Sequence, residues 1–383
     1  MDPARPSLEL LRSLTDEHVL RALMRQRRLT RAELAAQTGL SKPTVSESVR
    51  RLAASGLVAD TGQRTPGGRG RGRVGSYFAL AGHAGTALAV SIAPEGVVAE
   101  RIDPYGDTVS RAEETASRPS RSEQIAAALR TVAAATAGPG PRPRLAAVSA
   151  ADPVDRATGR LVHLPDAPFL LGELDPAEIL APYVDGPVVA DNDVNWAARA
   201  EREALGAAAP ATFAYLFLGE GLGAAVVSDG HVARGQHGLA GEVAHLLTAG
   251  PDGRAMRLID VFGVLGLRQD GSTAIDTGRL LAAVTGPAPR AAATRRALGQ
   301  AVGGALAAVT ALADPGLIII GGWGSHPAIL DAITAAAAGL PLPVRVQAAT
   351  LTAAPALAGA RADALARLRA GIVAAGREHP PPR

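Results

Sequence analysis

Between residues 41 and 51 the chain sets short polar and basic side chains at helical spacing. Thr44, Ser48 and Arg51 fall on one helical face, flanked by Ser41, Lys42, Pro43, Ser46, Glu47 and Arg50. At the start of a helix, short polar groups can reach base edges in a DNA major groove, and arginines can reach phosphate oxygens. Farther on, Arg69, Arg71 and Arg73 alternate with glycine, so the backbone can lie flat while guanidinium groups enter a narrow minor groove. Plainer readings stand beside these: a solvated face with a Glu47–Arg51 ion pair, and a flexible charged linker. Two other stretches, DNDVN at 191–195 and GEVAH at 241–245, gather carboxylates, amides and an imidazole. Charged acceptors paired with a neutral imidazole suit a polyol, because each hydroxyl both donates and accepts. Here too a plainer reading exists, in which Asp191, Asn192 and Asp193 cap a helix starting near Val194 while Glu242 and His245 make a buried ion pair or core hydrogen bond.

Helices must hold the first of these faces. From Glu17 to Arg28, Val19, Leu20, Leu23 and Met24 line one side of a support helix closed by Arg25, Arg27 and Arg28. Thr30 can cap a second helix, with Glu33 placed for a capping box and Gly39 as terminator. Leu40 follows as a buried turn residue. Ser41 caps the third helix, Pro43 sits in its first turn, and Val45, Val49 and Leu52 make its inward stripe. A two-stranded wing follows, with its last strand over residues 76–80.

From about residue 84 the pattern changes to short strands separated by turns and Ala-rich helices, the sign of an α/β body. Strands are expected at 87–92, 97–102, 145–149 and 188–190, with a second set beginning at Thr212 and ending in GLIIIGGW at 316–323. Asp103 to Asp107 reads as a hairpin turn. Two strand-rich lobes imply a duplicated fold with a cleft between them, and a last helix over about 356–373 braces the body.

Charge separates these parts. Residues 1–80 carry 14 Lys and Arg against 7 Asp and Glu, whereas the other 303 residues carry 25 against 29. A polyanion would therefore meet the amino-terminal fifth. With no cysteine, disulfides and thiolate metal sites are excluded. The first residues show no basic segment followed by an apolar core, and no later run reaches about 18 uninterrupted apolar residues, so a cytoplasmic protein without membrane contact is expected.

TRAELAAQTGL followed by SKPTVSESVRRLAASGLV strongly resembles the winged helix-turn-helix of bacterial repressors. Residues 84–373 resemble the ROK family of repressors and sugar kinases, through VVADNDVNWAARAE (188–201), FLGEGLGAAVVSDGHVARGQHGLAGEVAHL (217–246) and DPGLIIIGGWGS (314–325). The resemblance implies an actin-like, ribonuclease H-like body in two lobes, 81–200 and 201–383, behind a DNA-binding domain at 1–80. It also implies that Asp166, Asn192, Asp193, Glu242 and His245 stand where the family holds sugar hydroxyls, and that Asp193 matches the catalytic base. Asp166 stands where an asparagine is usual, and Met256 replaces a contacting glutamate.

The kinase chemistry departs further from the family pattern. Where the first phosphate loop should carry an aspartate and glycines, the chain has Ser91, Ala93 and Pro94, with Glu95 beside them. The second loop, expected as GTGIG, reads GEGLG at 219–223, adding Glu220. Phosphates need backbone N–H donors and cations, not carboxylates. His245 lacks the cysteine cluster of the family zinc site, so neither metal nor cofactor is expected. The sequence thus predicts a catalytically inactive regulator, a repressor that binds a duplex inverted repeat as a homodimer or tetramer and senses a sugar or sugar derivative. The alternatives are a sugar kinase that also binds DNA, and a regulator whose body serves only for dimerisation.

Overall fold

The computed structural model describes residues 8–65, 75–116, 121–138, 140–164 and 173–378. The head comprises α1 (Leu8–Gln26), β1 (Arg28–Thr30), α2 (Arg31–Thr38), α3 (Lys42–Ala54), β2 (Val58–Arg64) and β3 (Ser76–Leu80). Helix α1 starts at Leu8 instead of Glu17, because its first turns expose Leu10, Leu11 and Leu14 and so carry no inward periodicity. It stops at Arg27, whose backbone is left-handed, and Arg28 passes into β1. Thr30 and Glu33 form the reciprocal capping box, Gly39 ends α2 with φ 71°, and Ser41 accepts the Thr44 N–H at the start of α3. Strands β1, β3 and β2 make an antiparallel sheet in that order. The wing therefore has a third strand that the periodicity of the first helix conceals. Leu40 is half-buried against the head core.

The body repeats one plan twice. Its first half runs β4 (Ala87–Ala93), β5 (Gly96–Ile102), β6 (Thr108–Thr115), α4 (Ser122–Ala137), β7 (Ala146–Ala150), α5 (Pro176–Leu180), β8 (Val188–Asn192) and α6 (Asp193–Leu205). The second runs β9 (Thr212–Leu218), β10 (Leu222–Ser228), β11 (His231–Val232), the small pair β12 (Leu247–Ala249) and β13 (Ala255–Arg257), α7 (Leu258–Val264), α8 (Thr277–Thr285), α9 (Ala288–Ala313), β14 (Ile318–Gly322), α10 (Pro327–Ala338), β15 (Val346–Ala348) and α11 (Pro355–Glu378). The sheets have matching orders, β6-β5-β4-β7-β8 and β11-β10-β9-β14-β15. In each, tight turns make three antiparallel strands, and helical connections add two parallel ones. Residues 289–313 of α9 have the length and hydropathy of a membrane span. Leu298, Val302 and Leu306 are buried in the core of the second half, which accounts for that apolarity.

The last helix of each half crosses to the other. Helix α6 packs against β9 and β10, and α11 packs against β4 and β7, so a division at residue 200 falls within α6. Gly359 of α11 lies so close to α6 that a Cβ there would overlap the Trp196 carbonyl. The far end of α11 meets the head, where a Cβ at Gly376 would touch Leu20, Leu52 and Leu57. One continuous core therefore joins Leu20, Leu23 and Leu52 of the head to Leu368, Ile372 and Trp196 of the body. At its edge Arg377 pairs with Glu17 and Arg27 with Asp107, while the Tyr105 hydroxyl accepts from the Leu80 N–H at 3.1 Å.

Candidate functional site

In the head, the surface of α3 is turned by about one position from the face expected. Ser48 is fully buried and donates to Asp16 of α1. Arg51 is only 16% exposed and is held by the same carboxylate, its Nη2 at 2.7 Å and its Nε at 3.2 Å. Both were expected to face DNA, and both instead lock α3 to α1. The signal missed was Asp16, an acid on the inner face of the support helix. The outward stripe is Lys42, Ser46 and Arg50, at i, i+4 spacing, with Glu47 beside Arg50 at 2.7 Å. Arg50 is 75% exposed. Ser41 and Pro43 are exposed at the helix start, and Thr44 is half-buried with its hydroxyl 2.7 Å from that of Ser41. Arg69, Arg71 and Arg73 lie outside the described residues, as does Asp166.

The second site is the cleft between the halves, with a volume of about 530 Å³. Asn192, Asp193, Glu242 and His245 all line it, so the structure brings together two sequence-distant motifs. Asn192 is the N-cap of α6: its oxygen accepts from the Val194 N–H at 3.0 Å, and its amide donates to the Asp152 carbonyl at 3.3 Å. It therefore positions the helix start and retains little capacity for a ligand. Asp193 accepts the Val194 N–H with one oxygen at 2.7 Å, leaving the other toward the cleft. The Glu242 carboxylate and the His245 ring have no hydrogen-bond partner among the described residues. Met256 lies on β13, packed against the core of the second half.

The neighbouring turns have little that a phosphate could use. Ala93 and Gly96 pair directly, so Pro94 and Glu95 form a tight hairpin turn facing the cleft, and Pro94 has no N–H to offer. Gly219 to Gly221 close the β9–β10 turn, with the Trp323 indole donating to the Gly219 carbonyl at 2.8 Å. Glu95, Asp152, Asp193, Glu220 and Glu242 all line the cleft, and no lysine or arginine does so among the described residues.

Burial pushes both inner carboxylic acids up. Asp193 moves from 3.8 to about 7, chiefly by desolvation and further by the charges of Glu242 and Glu95, and Glu242 moves from 4.5 to about 7 by desolvation. Between about pH 4 and 7 the folded protein thus holds protons that the unfolded chain has released, so stability falls as pH rises through that interval and levels above it. The ligand-free protein is expected to melt at a higher temperature at pH 5 than at pH 8, and Glu242→Gln should flatten that slope. Parallel pH profiles for the two proteins in a thermal melt would contradict this assignment.

A model of the ROK family matches residues 105–257, and a model of winged helix-turn-helix DNA-binding domains matches residues 12–59. The bifunctional enzymes NanE/NanK of Brucella suis and Brucella melitensis are each 30% identical over 138 residues, 36% of this chain and 26% of theirs. The chain thus spans about a quarter of the length of these curated relatives. Among solved structures, a ROK family transcriptional regulator described as a homolog of the E. coli MLC protein aligns with a TM-score of 0.63 at 18% identity, over 95% of this chain and 99% of that one. A ROK family glucokinase from Streptomyces griseus, in complex with glucose and AMPPNP, aligns at 0.54 and 24% identity, over 73% and 99%. A ROK hexokinase from Thermus thermophilus aligns at 0.55 and 24%, over 74% and 99%. At these identities the structures speak to fold, and the two family models speak to the domains. The chain joins a winged helix-turn-helix DNA-binding domain to a ROK family domain, on a two-lobed body with the actin-like fold of the ROK kinases and regulators.

Proposed function

We propose that this chain is a DNA-binding transcriptional repressor, acting in the cytoplasm as a homodimer, whose body binds a sugar or closely related polyol without phosphorylating it. The observation that carries the DNA-binding part is the capped helix-turn-helix with Lys42, Ser46 and Arg50 presented outward on α3. A dimer would place two such helices on an inverted repeat whose half-sites lie one or two helical turns apart. Selection from fragmented genomic duplexes tests this reading, which expects an enriched inverted repeat. Arg50→Ala should weaken binding to all duplexes alike and lower the salt slope by about one. Enrichment of no common sequence would overturn the sequence-specific part.

The cleft supports a sensor over a kinase. Pro94, Glu95 and Glu220 surround the place where ATP phosphates would lie, with no basic side chain to offset them. Asp193, Glu242 and His245 remain available to hydroxyl groups. Without a phosphoryl donor, the Asp193 carboxyl acts as a hydrogen-bonding group and not as a base for transfer. Removing one charged acceptor from such a pocket costs about 1.5 to 3 kcal/mol, so Glu242→Ala should weaken the effector roughly tenfold or more. A thermal-shift screen of sugars and amino sugars against both proteins reads this directly. A stabilising sugar whose effect is unchanged in Glu242→Ala would place its site elsewhere.

A further inference from the structure

A second concentration of charge lies in a groove of about 780 Å³ where three parts of the chain meet. Arg199 and Arg202 come from α6, Arg367 from α11, Arg234 from the loop after β11 and Arg156 from the loop after β7. Their carboxylate partners are too few. Asp191 is shared by Arg199 at 3.4 Å and Arg234 at 2.5 Å, and Asp363 is shared by Arg199 at 3.6 Å and Arg367. Arg156 and Arg202 donate only to the carbonyls of Gly235 and Gly230, each at 3.4 Å. With Glu203 also on the lining, five arginines meet three carboxylates, before His231 is counted. The crowding is felt by Arg199, whose pKa is held below the usual arginine value by burial and then by Arg234 and Arg367, against the pull of Asp191 and Asp363.

We infer that this groove is a binding site for a small phosphate-bearing anion, separate from the interlobe cleft. Guanidinium groups present planar forks that grip phosphate oxygens in pairs, and forks arriving from two helices and two loops match several oxygens at once. A dianion would offset the excess charge that the protein's own carboxylates leave. The groove is concave and framed by α6 and α11, which suits a compact group better than a duplex backbone. Its occupant would also tie α6 to α11, the helix that carries the head. The assignment depends neither on the head's DNA reading nor on the sugar in the cleft.

Calorimetric titration of the full chain at low ionic strength with pyrophosphate, orthophosphate and glycerol 3-phosphate tests it. Saturable binding of at least one of the three is expected. Arg202→Ala with Arg367→Ala should lower that affinity about tenfold or more. Arg290→Ala with Arg296→Ala removes the same charge from exposed positions of α9 and should leave it within about twofold. Tighter binding of the ester assigns the site to a phosphorylated metabolite, and equal binding assigns it to the inorganic anion. No saturable binding of any probe, or equal losses in the two double variants, overturns the inference. A groove variant that loses only duplex affinity would do the same, since the arginines would then serve DNA. Should the groove pair melt early, Arg156→Ala on its exposed loop supplies the same comparison.

Discussion

Replacing Asp16 by alanine is expected to cost the head about 3 kcal/mol of stability and to remove its DNA binding at temperatures where the wild type is intact. Asp16 is 6% exposed and accepts from the Ser48 hydroxyl and from two nitrogens of Arg51, so three donors on α3 depend on one carboxylate of α1. Its loss leaves a mostly buried guanidinium with Glu47 at 3.6 Å as its remaining partner, and that partner is 45% exposed. A half-buried charge without its acceptor is what makes breaking such a pair costly. Asp16→Asn keeps one acceptor oxygen and should lose less. The measurement is chemical denaturation followed by a head-specific probe, with effector binding in the cleft as the internal control. An Asp16→Ala protein as stable as wild type would show that α3 is held by its apolar stripe alone.

Leu368→Ala should cost about 2 to 5 kcal/mol, and it should also separate the two parts of the molecule. Leu368 is 1% exposed on α11, in the core that holds Leu20, Leu23 and Leu52 of the head together with Trp196 of α6. The start of α6 is Asn192 and Asp193, at the cleft. One helix therefore runs from the ligand groups to the buried tryptophan, and a second runs from that tryptophan to the head. A cavity at Leu368 loosens the second contact and leaves the cleft untouched. Differential scanning calorimetry is expected to show one transition for the wild type and a resolved, earlier head transition for the variant. Effector affinity should be preserved while its influence on DNA affinity shrinks, because coupling requires an element that both sites bias. Unchanged coupling in a clearly destabilised Leu368→Ala protein would assign transmission to another route.

The head was largely legible because its signals are local. Thr30 with Glu33, Gly39, and Ser41 with Pro43 are capping chemistry written in consecutive residues, and each sits in the structure as its type dictates. The stripe Val45, Val49 and Leu52 is buried as its spacing indicates. What spacing could not resolve was the rotation of α3: Thr44, Ser48 and Arg51 look as polar as Lys42, Ser46 and Arg50. A polar side chain goes inward only when a partner waits there, and the partner, Asp16, is 32 residues from Ser48. In the body, the alternation of strands and the DNDVN and GEVAH stretches indicated a cleft, whose two sides are supplied by different halves. The capping role of Asn192 was already visible beside its ligand role, and its contacts favour the cap. The exchange of α6 and α11 between halves left no local mark. It shows only in close approaches such as Gly359 against Trp196.

The central claim is that α3 reads a specific duplex and that the cleft governs how tightly it does so. Fluorescence anisotropy of the full chain on its own upstream region and on a scrambled duplex, at two salt concentrations, with and without the stabilising sugar, addresses both halves together. The account predicts a specific affinity on the order of a thousandfold or more above the scrambled duplex at moderate salt. It also predicts a shift with sugar that is matched by an equal change in sugar affinity when the duplex is saturating. Equal affinity for the two duplexes, or a sugar that binds without moving the specific affinity, would contradict it.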